Sequence, residues 1–254
     1  MFLGCSDLTS INISNFNTSK ITSFDRLFED CYLLSSLNIL NFDSSQITSF
    51  HNMFSDCRSL TLIDLSNFNT TNANKLDNMF NNCFELISLD VSNFDTSLVT
   101  NMKRMFRNCR KLTSLDLSNF NTLLTEDISN LFEGCYNLEY INLGNFNENY
   151  KPIITDMFKG TPEDMIYCIF DEQLTPNINI LIQEKECLIK DCEVNWEENY
   201  QKMIESKKYD INVINDKFIR FMFLRRKNCY SACSRKWFYQ SIYFIREIPQ
   251  NLRC

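Results

Sequence analysis

Six cysteines stand at one step. Cys5, Cys31, Cys57, Cys83, Cys109 and Cys135 are each 26 residues from the last. Regularly spaced thiols raise metal binding or redox chemistry first. No Cys-x-x-Cys occurs, so neither a zinc ribbon nor a thioredoxin-like dithiol is written here. The column cysteines instead close an apolar spacing of 0, 3, 4, 7, as in Phe24, Leu27, Phe28, Cys31 and again in Met102, Met105, Phe106, Cys109. They are expected to be buried free thiols, a setting cysteine accepts readily. The single histidine, His51, excludes His-based triads and multi-histidine metal sites. Four glycines, at 4, 134, 144 and 160, cannot write a phosphate-cradling loop. The expectation is a protein that is not an enzyme, with no catalytic residue, no metal site and no cofactor.

The remaining polar side chains form rows at the same step. One row reads Asn12, Asn38, Asp64, Asp90, Asp116, Asn142; beside it runs Ser10, Ser36, Leu62, Ser88, Ser114, Tyr140. On adjacent parallel strands, roughly 4.8 Å apart, these rows make a polar stripe with an acidic centre. The candidate binding residues are Ser36, Asn38, Asp64, Ser88, Asp90, Ser114, Asp116, Tyr140 and Asn142, facing a protein or glycan of unknown identity. Carboxylates suit calcium, but no ligand loop accompanies them. Glycosylation sequons fall at Asn12, Asn17 and Asn69. Lys103, Arg104, Arg107, Arg110 and Lys111 form a basic patch, read as a solvated face. Nucleic-acid readers usually add aromatic platforms or a strongly basic domain, and the domain around this patch is acidic.

What must position these rows is a repeat. Leucine, isoleucine and valine recur in columns such as Leu8–Leu34–Leu60 and Ile13–Ile39–Leu65, followed by Phe16, Phe42, Phe68, Phe94, Phe120 and Phe146. The step of two from the Ile11–Leu37–Ile63 column to the Ile13–Ile39–Leu65 column is strand alternation, and the 0, 3, 4, 7 set predicts about two turns of helix. Between them stand turn sequences such as NFNTS and NFDSS, whose side chains bond to nearby backbone. The expected fold class is α/β: a solenoid of six 26-residue strand–turn–helix units with a parallel sheet on one face. The unit "SLTLIDLSNFNTTNANKLDNMFNNC" resembles the 26-residue surface-protein repeat of the BspA-like leucine-rich repeat family, found in bacterial surface lipoproteins and protist surface proteins. The resemblance runs from residue 1 to about 170. It implies a leucine-rich-repeat solenoid displayed at the cell surface. The usual Asn or Cys after the strand motif is replaced by Phe in all six copies, so an aromatic stack is expected where an Asn ladder would run. The Asn before each Phe is expected to face the other way.

Domain boundaries follow the repeat: 1–160 solenoid, 161–186 cap, 187–254 a cysteine-containing flank. Met165 to Phe170 reads as a closing strand whose register is open by one residue. Thr175-Pro176 starts a helix, with Pro at its first position, that runs to about Cys187. Cys168, Cys187, Cys192, Cys229, Cys233 and Cys254 have no repeat spacing and make an even set suited to disulfides in an oxidising compartment. Their pairing stays open among fifteen connectivities. CYSAC at 229–233 resembles the start of the cysteine-rich stalk that follows such repeats, and the match then stops. Residues 216–254 carry 9 bases and 2 acids, against 18 acids and 11 bases in residues 1–160.

No run of 18 apolar residues marks a membrane span, and the first residues are repeat rather than signal peptide. Met1 aligns with Met53, Met79 and Met105, which predicts that it is an internal methionine of a longer protein whose start carries more repeats and a secretion signal. The functional expectation is a cell-surface or secreted repeat protein that binds macromolecules in adhesion or host contact, without nucleic-acid binding. The alternative is an intracellular leucine-rich-repeat adaptor.

Overall fold

In the computed structural model, which describes residues 1–163, 165–169 and 175–183, the period of the sequence is also the period of the backbone. Phe24, Arg26, Phe28 and Asp30 donate their N–H groups to the carbonyls of Ser49, His51, Met53 and Ser55 at 2.9 to 3.0 Å. The same columns bond onward, as in Phe80 to Met105 and Phe106 to Leu131. Parallel bridges join Ser23, Ser49, Lys75, Asn101, Asp127 and Ile153 in succession. No unit satisfies its backbone alone; each takes partners from the next, as buried peptide groups require.

Three short strands, β1 (Ser114–Asp116), β2 (Tyr140–Asn142) and β3 (Ile166–Cys168), form a parallel sheet in that order. Ser114 pairs with Tyr140 and Tyr140 with Ile166. The closing strand therefore keeps the 26-residue step, without a slip. Before β1 no regular strand forms among the described residues. Single bonds such as Ser35 N–H to Thr9 O and Ile87 N–H to Thr61 O mark the same alignment there.

The helical half of the unit is corrected. Residues 24–31 are two consecutive four-residue turns, closed by Leu27 N–H to Phe24 O and Cys31 N–H to Phe28 O. Their third residues, Arg26 and Asp30, are left-handed at φ 57° and 62°. The pair of columns repeats this at Asn52 and Asp56, Asn78 and Asn82, Arg104 and Asn108. An α-helix cannot pass a left-handed residue every fourth position. The apolar spacing misleads because a four-residue turn brings residues i and i+3 to one side, much as a helical turn does. His51 thus sits in a turn.

The turns and strand stretches enclose one apolar core. Phe28, Phe54, Phe80, Phe106 and Phe132 are wholly buried, as are Cys57, Cys83, Cys109 and Cys135 beside them. A continuous stack runs Phe2, Phe28, Phe54, Phe80, Phe106, Phe132, Phe158, with centroids 5.3 to 6.0 Å apart. The stack expected on the Phe16 column is weaker. Phe16 is 39% exposed, and only Phe94 and Phe120 stack face to face within that column, at 6.5 Å.

The helix α1 (Pro176–Gln183) begins at the proline expected at its first position. The buried Glu148 receives its free end, accepting from Asn177 N–H at 3.0 Å, Asn177 Nδ2 at 2.7 Å and Ile178 N–H at 2.6 Å. A carboxylate there meets both the orphan N–H groups and the positive end of the helix.

Candidate binding face

The polar rows are built by one local device. Asn12, Asn38, Asp64, Asp90, Asp116 and Asn142 each accept, through Oδ1, the backbone N–H two residues on. These bonds end each strand stretch and turn the chain. The Ser66 N–H beside Asp64, helped by the Ser66 hydroxyl, holds that carboxyl below the usual carboxylate range. Ser36, Asn38, Asp64, Ser88 and Asp90 are exposed, Ser114 and Asp116 half-buried. Tyr140 and Asn142 are buried, at 4% and 9% exposure. They leave the open face, because burial withdraws their side chains from any ligand arriving from solvent. The open part is a shallow groove of about 310 Å³ lined by Ser10, Ser36, Asn38, Leu62 and Asp64 over Leu37 and Ile63.

The other candidates are also placed. Asn12, Asn17 and Asn69 are exposed, each in a turn closed by the N–H of the sequon's Ser or Thr. Cys168 belongs to β3, while Cys187, Cys192, Cys229, Cys233 and Cys254 lie outside the described residues. The column cysteines are free. Cys31, Cys57, Cys83, Cys109 and Cys135 each donate their thiol to a carbonyl one unit back, at 3.0 to 3.3 Å. Burial pushes the Cys31 thiol up to about 11 and the Cys135 thiol up to about 12, and raises Cys57, Cys83 and Cys109 as well. A protonated, hydrogen-bonded thiol is a poor nucleophile and a poor metal ligand. Among the described residues no group of His, Cys, Asp and Glu is placed to hold a metal ion. His51 Nδ1 lies 2.5 Å from Asp77 Oδ2, one unit on.

The basic patch is largely paired. Lys103 meets Asp127, Arg107 meets Glu133 and Lys111 meets Glu85. Arg110 lies 4.1 Å from the centre of the Phe84 ring. Among the described residues no helix is long and apolar enough to cross a membrane.

Two ladders escaped the sequence reading. The Asn before each Phe faces back, not away. Asn41 Nδ2 donates to Ser14 O, Asn93 to Phe68 O and Asn119 to Phe94 O, at 2.7 to 2.9 Å. An Asn ladder thus exists one residue earlier than the common pattern. Its signal was the unbroken column Asn15, Asn41, Asn67, Asn93, Asn119, Asn145. The second ladder is the hydroxyl column Thr18, Ser44, Thr70, Thr96, Thr122, each holding the backbone of the next unit.

One family model matches residues 1–88 and 64–165, that of the Mycoplasma protein of unknown function called DUF285. No curated protein matches the chain, and no solved structure does.

Proposed function

The chain belongs to the DUF285 family of Mycoplasma proteins of unknown function, and from that premise we propose that it is a non-enzymatic binding protein of the BspA-like leucine-rich-repeat kind. In this reading the repeat is a solenoid. It stands at the cell surface or is secreted, and engages a protein or glycan through its strand face in adhesion or contact. One observation carries the reading. Single backbone bonds such as Ser35 N–H to Thr9 O and Ile87 N–H to Thr61 O hold the same residues of successive units at the 26-residue step, so one polar row is displayed again and again from Ser36 to Asp90. Repetition of a single exposed row enlarges a recognition surface without altering the core that supports it. The family itself specifies no activity, so adhesion rests on the resemblance of the repeat.

The test is binding of the full chain to arrays of immobilised extracellular proteins and glycans. Binding that Ser36→Arg with Ser88→Arg removes, while folding is unchanged, supports the strand face. Binding indifferent to that pair of changes moves the site elsewhere. Antibody labelling of intact cells checks placement: signal only after permeabilisation sinks the surface reading and restores the intracellular adaptor.

A further inference from the structure

We propose that the open stretch of the strand face, between Ser36 and Asp90, docks a cationic protein segment that carries apolar side chains among its lysines or arginines. The proposal rests on the binding reading above and adds the chemistry of the partner.

Two features of the face point to it. The first is apolar. Leu40 and Leu62 lie on neighbouring units with 47% and 57% of their surface exposed, and Leu62 lines the groove over Leu37 and Ile63. Open leucines beside a groove suit apolar side chains of a protein better than the hydroxyls of a glycan, because only the former gain from leaving water there.

The second is charge. Residues 9–15, 35–41, 61–67 and 87–93 contain no lysine or arginine, although residues 1–160 hold 11 elsewhere. Asp64 and Asp90 are therefore unopposed on this face, and both are exposed. The fold does not demand their charge. Asn12 and Asn38 occupy the same row and make the same turn bond, at 3.1 and 3.2 Å against 2.9 Å for Asp64 and Asp90. Asparagine also serves the turn, so the turn does not require a carboxylate, and the charge of Asp64 and Asp90 adds negative potential to the face. That potential selects a positive partner and speeds its arrival.

The probe is a synthetic peptide of alternating lysine and leucine, with glutamate–leucine and serine–leucine counterparts, titrated into the full chain by fluorescence anisotropy at low and high salt. The lysine peptide is expected to bind at least tenfold more tightly than the other two, and to weaken with salt. Asp64→Asn with Asp90→Asn, and separately Leu62→Ser, are each expected to weaken it about tenfold. Asp43→Asn, which removes one charge from an exposed turn off this face, is expected to change little. An equal loss with Asp43→Asn reduces the effect to net charge and overturns the proposal. Equal binding of all three peptides, abolished by Leu62→Ser, overturns the cationic partner but leaves a binding face. No binding by any peptide also overturns it, and the array experiment then decides the broader reading independently.

Discussion

The Thr70 hydroxyl holds both backbone groups of Asp95. It accepts the Asp95 N–H at 2.8 Å and donates to the Asp95 carbonyl at 2.8 Å. Thr96 does the same for Asn121, and Thr122 for Asn147. One hydroxyl, which has one donor and two acceptor sites, thereby replaces a pair of ladder bonds at the turn.

Thr70→Val keeps the shape and removes both bonds. It is expected to cost about 1 to 3 kcal/mol, since the partners lose water and gain nothing. Thr70→Ser is expected to cost less than about 1 kcal/mol, as Ser44 already fills the column with the same two contacts. Urea unfolding of the two variants checks the order; a valine variant as stable as the serine one refutes the ladder's role.

The left-handed turn column is filled by Asn52, Asn78 and Asn130 but also by Arg26 and Arg104. Arginine pays a steric cost there that asparagine largely avoids. Arg104→Asn is expected to raise stability by about 0.5 kcal/mol or more. Gly134→Ala goes the other way. Its φ is +74°, and a Cβ would stand 2.1 Å from Asn108 Oδ1. Asn108 is held in place by donating to Asn82 Oδ1 at 2.7 Å, so yielding costs that bond too. Thermal melts of both variants should move in opposite directions.

The buried thiols make the protein sensitive to alkali. A thiol whose value is raised from 9.0 in the unfolded chain to about 12 at Cys135 keeps its proton in the fold after the unfolded chain has lost it. Its contribution is complete below pH 9 and is lost as pH rises from 9 toward 12, at up to about 1.4 kcal/mol per pH unit. Cys135→Ala is expected to lower stability at pH 7 and to flatten the decline above pH 9. Urea midpoints at pH 7, 9 and 10.5 measure both effects. Thiol reagents should label Cys57, Cys83 and Cys109 only as fast as the protein unfolds.

Glu148 stands where the hydroxyl column would continue, and it binds α1 instead. Glu148→Ala is expected to free the helix by removing three bonds from a carboxylate, each worth about 1.5 to 3 kcal/mol in a well-formed site. Hydrogen exchange of residues 176–183 should quicken by at least tenfold while residues 24–135 stay protected. Unchanged exchange in α1 would show that Ile178 and its apolar contacts suffice.

Much of this architecture was legible in the residues. A 26-residue step carried without slip from Cys5 to Cys135 dictates that equivalent residues stack, because only stacking buries the same columns in every unit. Burial of the Phe28 and Cys31 columns follows from their apolar character alone. Beside the helical spacing stood a signal that the helix expectation leaves out: the residue before each cysteine is Gly4, Asp30, Asp56, Asn82, Asn108 or Gly134, types that tolerate positive φ. The tertiary structure decided what periodicity leaves ambiguous. The spacing of Phe24, Leu27, Phe28 and Cys31 fits a helix and a pair of turns equally, and the bonds from Phe24 to Ser49 and Phe28 to Met53 choose the turns, since those N–H groups are spent on the next unit. The direction of Asn41, back onto Ser14 O, likewise depends on a carbonyl 27 residues away. Which part of the polar row stays open, Asp64 and Asp90 but not Tyr140 and Asn142, is a matter of burial, which side-chain type does not encode.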